Sequence, residues 1–202
     1  MFKVPIVGDS GVGKTCLLKK LLNPNENFEK IPKASLFLDF HIQKTTSDGK
    51  IFKIQFIDTM GMEKYRSGVK TIYKDADAFL IVFDVNDEIS FDNITYWILD
   101  IKDQIDIKNV DLILIANKCD LERKVSEKRV ENFEKKNDLG VHYNFFNTSV
   151  FTGLGVYEVF DCLTLKLAEK IELKKKQKEQ KKVKVKVDNS ENNDKQKKKR
   201  CC

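Results

Sequence analysis

The chain has 202 residues, 41% hydrophobic and 34% charged, which suffices for one domain of ordinary size. Its net charge is +6, but Lys174 to Arg200 carry 13 basic against 4 acidic groups, a net of +9 that leaves −3 for everything else. A mildly acidic body with a strongly basic tail argues against a nucleic-acid-binding domain, and no apolar run nears the ~18 residues of a membrane-crossing helix.

The opening MFKVPIVG is too short to read as a signal peptide and runs straight into a motif. FKVPIV (2–7) is the first predicted strand. Pro5 takes one ladder donor from it, so a central strand here must begin after the proline or carry a bulge. GDSGVGKT, Gly8 to Thr15, follows and leads into a helix predicted over 14–22. It fits G-x-x-x-x-G-K-[ST] between a strand and a helix, the context that the pattern requires. The glycines clear away side chains, so that backbone N–H groups along Ser10, Gly11, Val12, Gly13, Lys14, Thr15 and Cys16 point at an anion beside the positive helix end. Lys14 brings a full charge to the outer phosphates, and the Thr15 hydroxyl is a Mg²⁺ ligand. The pattern specifies a nucleoside triphosphate but not its base.

Strands near 37–43 and over 53–58 (KIQFID) are joined through SDGK at 47–50, the one good hairpin signal, into an antiparallel edge. DTMG, Asp58 to Gly61, ends the second. A helix over 64–74, a strand over 78–84 (AFLIVFD), a helix over 90–105 and a strand over 111–117 (DLILIAN) come next. NKCD, Asn117 to Asp120, closes that last strand, at the end where α/β sheets bind ligands. Asp120 offers two acceptors to a ring N–H and an exocyclic amine, the donor pair that guanine has and adenine lacks. The Lys118 stem suits the base plane, and Asn117 suits a tie to the phosphate loop. After a helix over 126–138 and a strand over 143–146 (YNFF) comes NTSV at 147–150. Backbone N–H groups of Ser149, Val150 and Phe151 are candidates to meet the guanine O6, with Thr148 or Ser149 bracing the turn.

The last helix, 156–173, carries an apolar stripe of Val156, Phe160, Leu163, Leu167 and Ile171. It is expected to fray onward to about Lys182. Residues 174–202 show no core-forming stripe and are read as a disordered polybasic tail. Nearly continuous apolar strands alternating with helices predict an α/β fold with a mainly parallel sheet and one antiparallel edge hairpin. Of the five cysteines, Cys16, Cys119 and Cys162 are expected as buried thiols in a reducing compartment, and Cys201 and Cys202 stand apart at the terminus.

The phosphate loop, DTMG, NKCD and NTSV, in that order, resemble the nucleotide motifs of the Ras superfamily of small GTPases. GDSGVGKTCLL, LDFHIQ, KIQFIDTMG, KYRSG, IYKDA, IVFDVND and SFDNITYWILDI resemble, within it, the segments that distinguish Rab GTPases. The resemblance covers about residues 2–173. It implies a P-loop NTPase small G domain over 1–173, with a six-stranded mixed sheet and helices on both faces. It implies GTP or GDP as ligand with Mg²⁺, slow GTP hydrolysis, and a switch that recruits effectors to membranes in vesicle traffic. By resemblance Asp58 reaches Mg²⁺ through water, the Gly61 N–H meets the γ-phosphate, Ser35 stands where the family has a threonine Mg²⁺ ligand, and Phe28 leans on the base edge.

Two departures stand out. Met62 replaces the glutamine that orients the attacking water, and a thioether lacks a strong donor or acceptor, so intrinsic hydrolysis is expected to be slower. The alternative is a GTP-loaded scaffold with negligible turnover. Ile57 replaces a partner-reading tryptophan, so partner recognition through that position is not expected to carry over. Phe37, Phe40, Ile57 and Tyr73 are expected on an exposed apolar switch surface, and Gly68 should loosen the second switch helix. The resemblance further implies an exchange factor, an activating protein, a prenyl-transfer escort and a dissociation inhibitor as partners, with nucleic acid excluded. KKKRCC resembles a double geranylgeranylation site on Cys201 and Cys202. The resemblance implies a cytoplasmic protein that cycles onto the cytosolic face of an endomembrane or the plasma membrane by a lipid anchor.

Overall fold

A computed structural model describes residues 1–25, 39–59, 72–136 and 142–176. Eleven named elements follow one another: β1 (Phe2–Val7), α1 (Lys14–Leu22), β2 (Asp39–Ser47), β3 (Lys50–Asp58), β4 (Ala78–Asp84), α2 (Glu88–Asp92), α3 (Ile94–Gln104), β5 (Asp111–Asn117), α4 (Glu127–Lys136), β6 (Tyr143–Asn147) and α5 (156–176). The strands form one sheet in the order β2-β3-β1-β4-β5-β6, with β2 antiparallel to β3 and every other pairing parallel.

Side-chain alternation along the central strands divides the core into two layers. Val4, Ile6, Ile54, Phe56, Leu80, Val82, Ile113 and Ile115 meet Leu17, Leu18 and Leu21 of α1 and Val156, Val159, Leu163 and Leu167 of α5. On the opposite face Val7, Ile57, Ile81, Phe83 and Leu114 meet Ile94, Trp97, Ile98 and Ile101 of α3, with Val130 of α4. Each fully buried aliphatic side chain contributes roughly 1.5–3 kcal/mol. The α5 stripe is shifted from the predicted one: Val159 and Ala168 are buried, while Phe160 and Ile171 are only partly so.

The edge hairpin is longer than the sequence suggests, with Ser47 opposite Lys50. Its two loop residues, Asp48 and Gly49, have φ of 48° and 68°. Positive φ at both positions is the type I′ geometry that matches strand twist. The helix predicted over 90–105 begins instead at Glu88, because the Asp87 carboxylate accepts the Ile89 N–H and caps it, and it breaks at Asn93. Of the helix predicted over 64–74, residues 64–71 fall outside the described residues.

Pro5 fits a central strand without a bulge. Lys3 donates its N–H to the Asp77 carboxylate at 3.0 Å and accepts from the Asp77 N–H at 2.9 Å, so its polar groups face the β4 side. Two residues on, Pro5 faces the same way. The β1–β4 ladder opens only at Ile6, and the β1–β3 ladder runs past Pro5 opposite Ile57. The missing donor therefore falls just short of the ladder that would have used it.

Two of the residues expected on an exposed apolar surface are buried. Ile57 is 1% exposed and Tyr73 0%. β3 is covered on both faces near its end, so Ile57 enters the layer opposite Phe56, and the Tyr73 ring stands edge-on to Phe79 at 5.2 Å. Phe40, on the edge strand, is exposed as expected, and Phe37 lies outside the described residues. Cys16, Cys119 and Cys162 are free thiols, half-buried rather than buried.

Candidate nucleotide site

The carboxyl ends of the parallel strands β1, β3, β4, β5 and β6 all reach the same rim of the sheet. The loops leaving β1, β5 and β6 there carry the phosphate-loop, NKCD and NTSV segments. Two glycines of the first loop are dictated by space. A Cβ on Gly8, at φ 137°, would lie 2.1 Å from the Val82 carbonyl oxygen, and one on Gly13, at φ 99°, would lie 2.4 Å from Asn117 Nδ2. Gly13 also caps α1 without a side chain, and the first turn of that helix carries no acidic group. No carboxylate of the helix itself therefore competes with an incoming anion for its first amides. Lys14 is 5% exposed, and its ammonium donates to the carbonyls of Gly8 at 2.8 Å and Asp9 at 2.7 Å. Ser10 and Gly11 are exposed, Val12 is buried, and Thr15 and Cys16 are half-buried.

Thr15 and Asp58 meet across the loop, with the hydroxyl donating to Asp58 Oδ2 at 2.5 Å. Asp58 is 2% exposed, and its Oδ1 has no hydrogen-bond partner among the described residues. Burial pushes this carboxyl up from its ordinary value, against the opposing pull of the Thr15 hydrogen bond and the Lys14 charge. A buried, half-satisfied carboxylate beside a hydroxyl is a donor set that suits a divalent cation. Among the described residues no three His, Cys, Asp or Glu side chains cluster, so such a cation would share its coordination with ligand oxygens. Burial also pushes the Cys16 and Cys119 thiols up, which removes both as thiolate nucleophiles at neutral pH.

The β5 end is joined to this loop. Asn117, 1% exposed, donates from Nδ2 to the Val12 carbonyl at 2.9 Å, and its Oδ1 accepts from the Thr148 hydroxyl at 3.1 Å. One side chain thus holds the first, second and third loops together. Lys118 adopts φ 65° and pairs with Asp84 Oδ2 at 2.6 Å. Asp120 is exposed, and its Oδ1 accepts from the Ser149 hydroxyl at 2.5 Å. Ser149 also accepts the Thr152 N–H at 3.1 Å, so both Thr148 and Ser149 brace the turn. Val150 is buried and Phe151 is 75% exposed. Phe28, Ser35, Gly61, Met62, Gly68, Cys201 and Cys202 lie outside the described residues.

Four participants escaped the sequence reading. Asp84 ends β4 in register with Asn117, and a lone carboxylate closing the apolar run AFLIVF was its available signal. Asp9 is 8% exposed and is bound through its carboxylate by Asn93 and Trp97. These contacts span most of a hundred residues, and no local pattern announces them.

This architecture, with its loops gathered at one rim, is that of a small G domain. The Ras family model matches residues 3–169. The Ras-related protein Rab-13 of Rattus norvegicus is 35% identical over 165 residues, covering 81% of this chain and 78% of the relative. The Ras-related protein Rab-8 of Diplobatis ommata is 35% identical over 176 residues, covering 86% and 80%, and Rab-8B of Homo sapiens is 34% identical over 176 residues, covering 86% and 82%. The chain belongs to the Ras family and is a divergent Rab-type small GTPase.

Proposed function

We propose that this GTPase binds GTP and GDP with Mg²⁺, hydrolyses GTP slowly, and uses the difference between the two states to recruit effectors to a membrane. The observation that carries the reading is Asn117, whose amide links the NKCD turn to the phosphate loop at 2.9 Å. A base reader and a phosphate cradle joined by one buried side chain form a single site for a nucleotide. Asp120, exposed and oriented by Ser149, is the group that would accept from the guanine N1–H and 2-amine. The Lys118 stem, fixed by Asp84, would lie along the base, and backbone N–H groups of Ser149, Val150 and Phe151 would meet O6.

Toward the phosphates, Lys14 would exchange its two carbonyl acceptors for phosphate oxygens, with the amides of 10–16 completing the cradle. Thr15, Ser35 and, through water, Asp58 would hold Mg²⁺, which supplies charge neutralisation to the phosphates. Catalysis in such a site is positioning and charge stabilisation, and Met62 offers no polar atom strong enough to orient water. Slower intrinsic turnover follows, with the GTP form longer lived; a scaffold without turnover is the limiting case. Phe40, Ile42 and Ile51 expose apolar surface on the β2–β3 edge, a face suited to effectors. Attachment to the bilayer would come from prenylated Cys201 and Cys202, with the basic tail adding about 1 kcal/mol per Lys or Arg near an anionic leaflet.

The test is a direct competition. Protein stripped of nucleotide and given Mg²⁺ should bind GTP and GDP in preference to ATP and ADP by orders of magnitude. Equal binding of the two purines would remove the proposal.

A further inference from the structure

A carboxylate inside a phosphate loop needs an explanation, because its charge opposes the ligand that the loop is built to hold. Asp9 lies between Gly8 and Ser10, is 8% exposed, and has both oxygens engaged. Oδ2 accepts from Asn93 Nδ2 at 2.6 Å and Oδ1 from Trp97 Nε1 at 2.8 Å. Asn93 closes α2 and Trp97 lies four residues on in α3, so the two donors share one helix face. Both are neutral N–H groups bound to an ion, the class of hydrogen bond that is shorter and about twice as strong as its neutral counterpart. Meanwhile the Asp9 backbone carbonyl accepts from Lys14 Nζ.

Ordering the loop around Asp9 is entropically costly. Gly8, Gly11 and Gly13 all have positive φ, and glycine surrenders the most conformational freedom on ordering. Among the described residues, side chains from beyond the loop and α1 pin it at two places. Asn117 holds the Val12 carbonyl from the base side. Asp9 holds the other end, gripped from α3. We propose that Asp9 is a positioning residue: Asn93 and Trp97 clamp its carboxylate and so fix the loop backbone with its amides aimed at the phosphates. The clamp sets how long a nucleotide stays bound. The inference rests on the guanine-nucleotide reading above. It has a built-in reporter, because Trp97 is the chain's single tryptophan.

The experiment uses the full chain loaded with N-methylanthraniloyl-GDP and Mg²⁺ and chased with excess GDP. Loss of a charge-assisted hydrogen bond from the loop is expected to speed release about tenfold in Asp9→Ala. Trp97→Phe keeps the ring and deletes only the N–H, and should speed release roughly threefold, with no further gain when added to Asp9→Ala. Tyr96→Ala, on the exposed face of α3, is the control and should release at the wild-type rate. The guanine-over-adenine preference should be unchanged in all variants, since the base side is untouched. Trp97 emission should change when wild type is stripped with EDTA and should stay constant in Asp9→Ala. Release from Asp9→Ala within twofold of wild type overturns the clamp, as do multiplying effects of the two substitutions or a loss of base preference in step with retention. If Asp9→Ala does not fold, Trp97→Phe and Asp9→Asn carry the same comparison, and wild-type release from both overturns it. Wild type that holds no GDP at all would overturn the nucleotide reading itself along with the clamp.

Discussion

Asn117→Ala should uncouple the base loop from the phosphate loop. The side chain is 1% exposed and makes two hydrogen bonds, to the Val12 carbonyl at 2.9 Å and from the Thr148 hydroxyl at 3.1 Å. Truncation leaves both partners buried without their bond, and each such orphan costs about 1–3 kcal/mol. Relaxation and water entry recover part of that, so a net loss of about 2–4 kcal/mol is expected. Urea unfolding at saturating GDP and Mg²⁺ should show the midpoint fall with an unchanged slope. GDP release should quicken in parallel, because each 1.4 kcal/mol taken from the bound state is about tenfold in affinity. Gly13→Ala attacks the same junction from the other side, where the new methyl would lie 2.4 Å from Asn117 Nδ2, and should produce the same pair of effects. A stability change under about 0.5 kcal/mol in Asn117→Ala, typical of an ordinary surface site, would refute the claim that this side chain joins the two loops.

Asp58→Asn should separate folding from metal use. Burial raises the folded-state value of this carboxyl above 3.8, so its stabilising contribution is complete below that pH and is lost as pH rises through the folded value. At pH 7 the ionised group burdens the metal-free protein. The variant should therefore match or exceed wild type in urea midpoint without nucleotide, with the gain vanishing as pH falls toward 3.8, while Mg²⁺ no longer slows GDP release. A lower midpoint at pH 7 with normal Mg²⁺ response would count against the assignment. Met62→Gln should accelerate single-turnover GTP hydrolysis, and equal intrinsic rates would eliminate Met62 as the cause of slow turnover. The double substitution Cys201→Ser, Cys202→Ser should move a tagged protein from membranes to cytosol in fractionated cells; persistent pelleting with membranes would argue against a lipid anchor on those cysteines.

What could be read from the sequence was whatever is local. The phosphate loop, NKCD and NTSV are each a few residues long, and each follows an apolar strand, so their common rim comes from strand direction alone. The type I′ hairpin was visible in Asp48-Gly49 for the same reason. Contacts between distant segments were not legible. Asp9 reads as one more polar loop residue until α3 brings Asn93 and Trp97 to it, 84 and 88 residues later. Ile57 and Tyr73 were misplaced because a family's recognition surface was laid over positions whose burial depends on coverage of the sheet. On β3, Phe56 and Ile57 point to opposite faces, and both faces are covered there. Pro5 was ambiguous because its fit depends on where the β1–β4 ladder begins, which only the strand register reveals.

The proposed guanine selectivity turns on the Asp120 carboxylate reading the guanine edge. In Asp120→Asn an amide donor replaces one acceptor, which disfavours the 2-amine of guanine and suits the 2-carbonyl of xanthine. Competition between GTP and XTP for nucleotide-free protein should show wild type strongly preferring GTP and the variant reversing toward XTP, a swing of at least about 100-fold for exchanging matched and mismatched buried pairs. An Asp120→Asn variant that keeps the wild-type order of preference would contradict it.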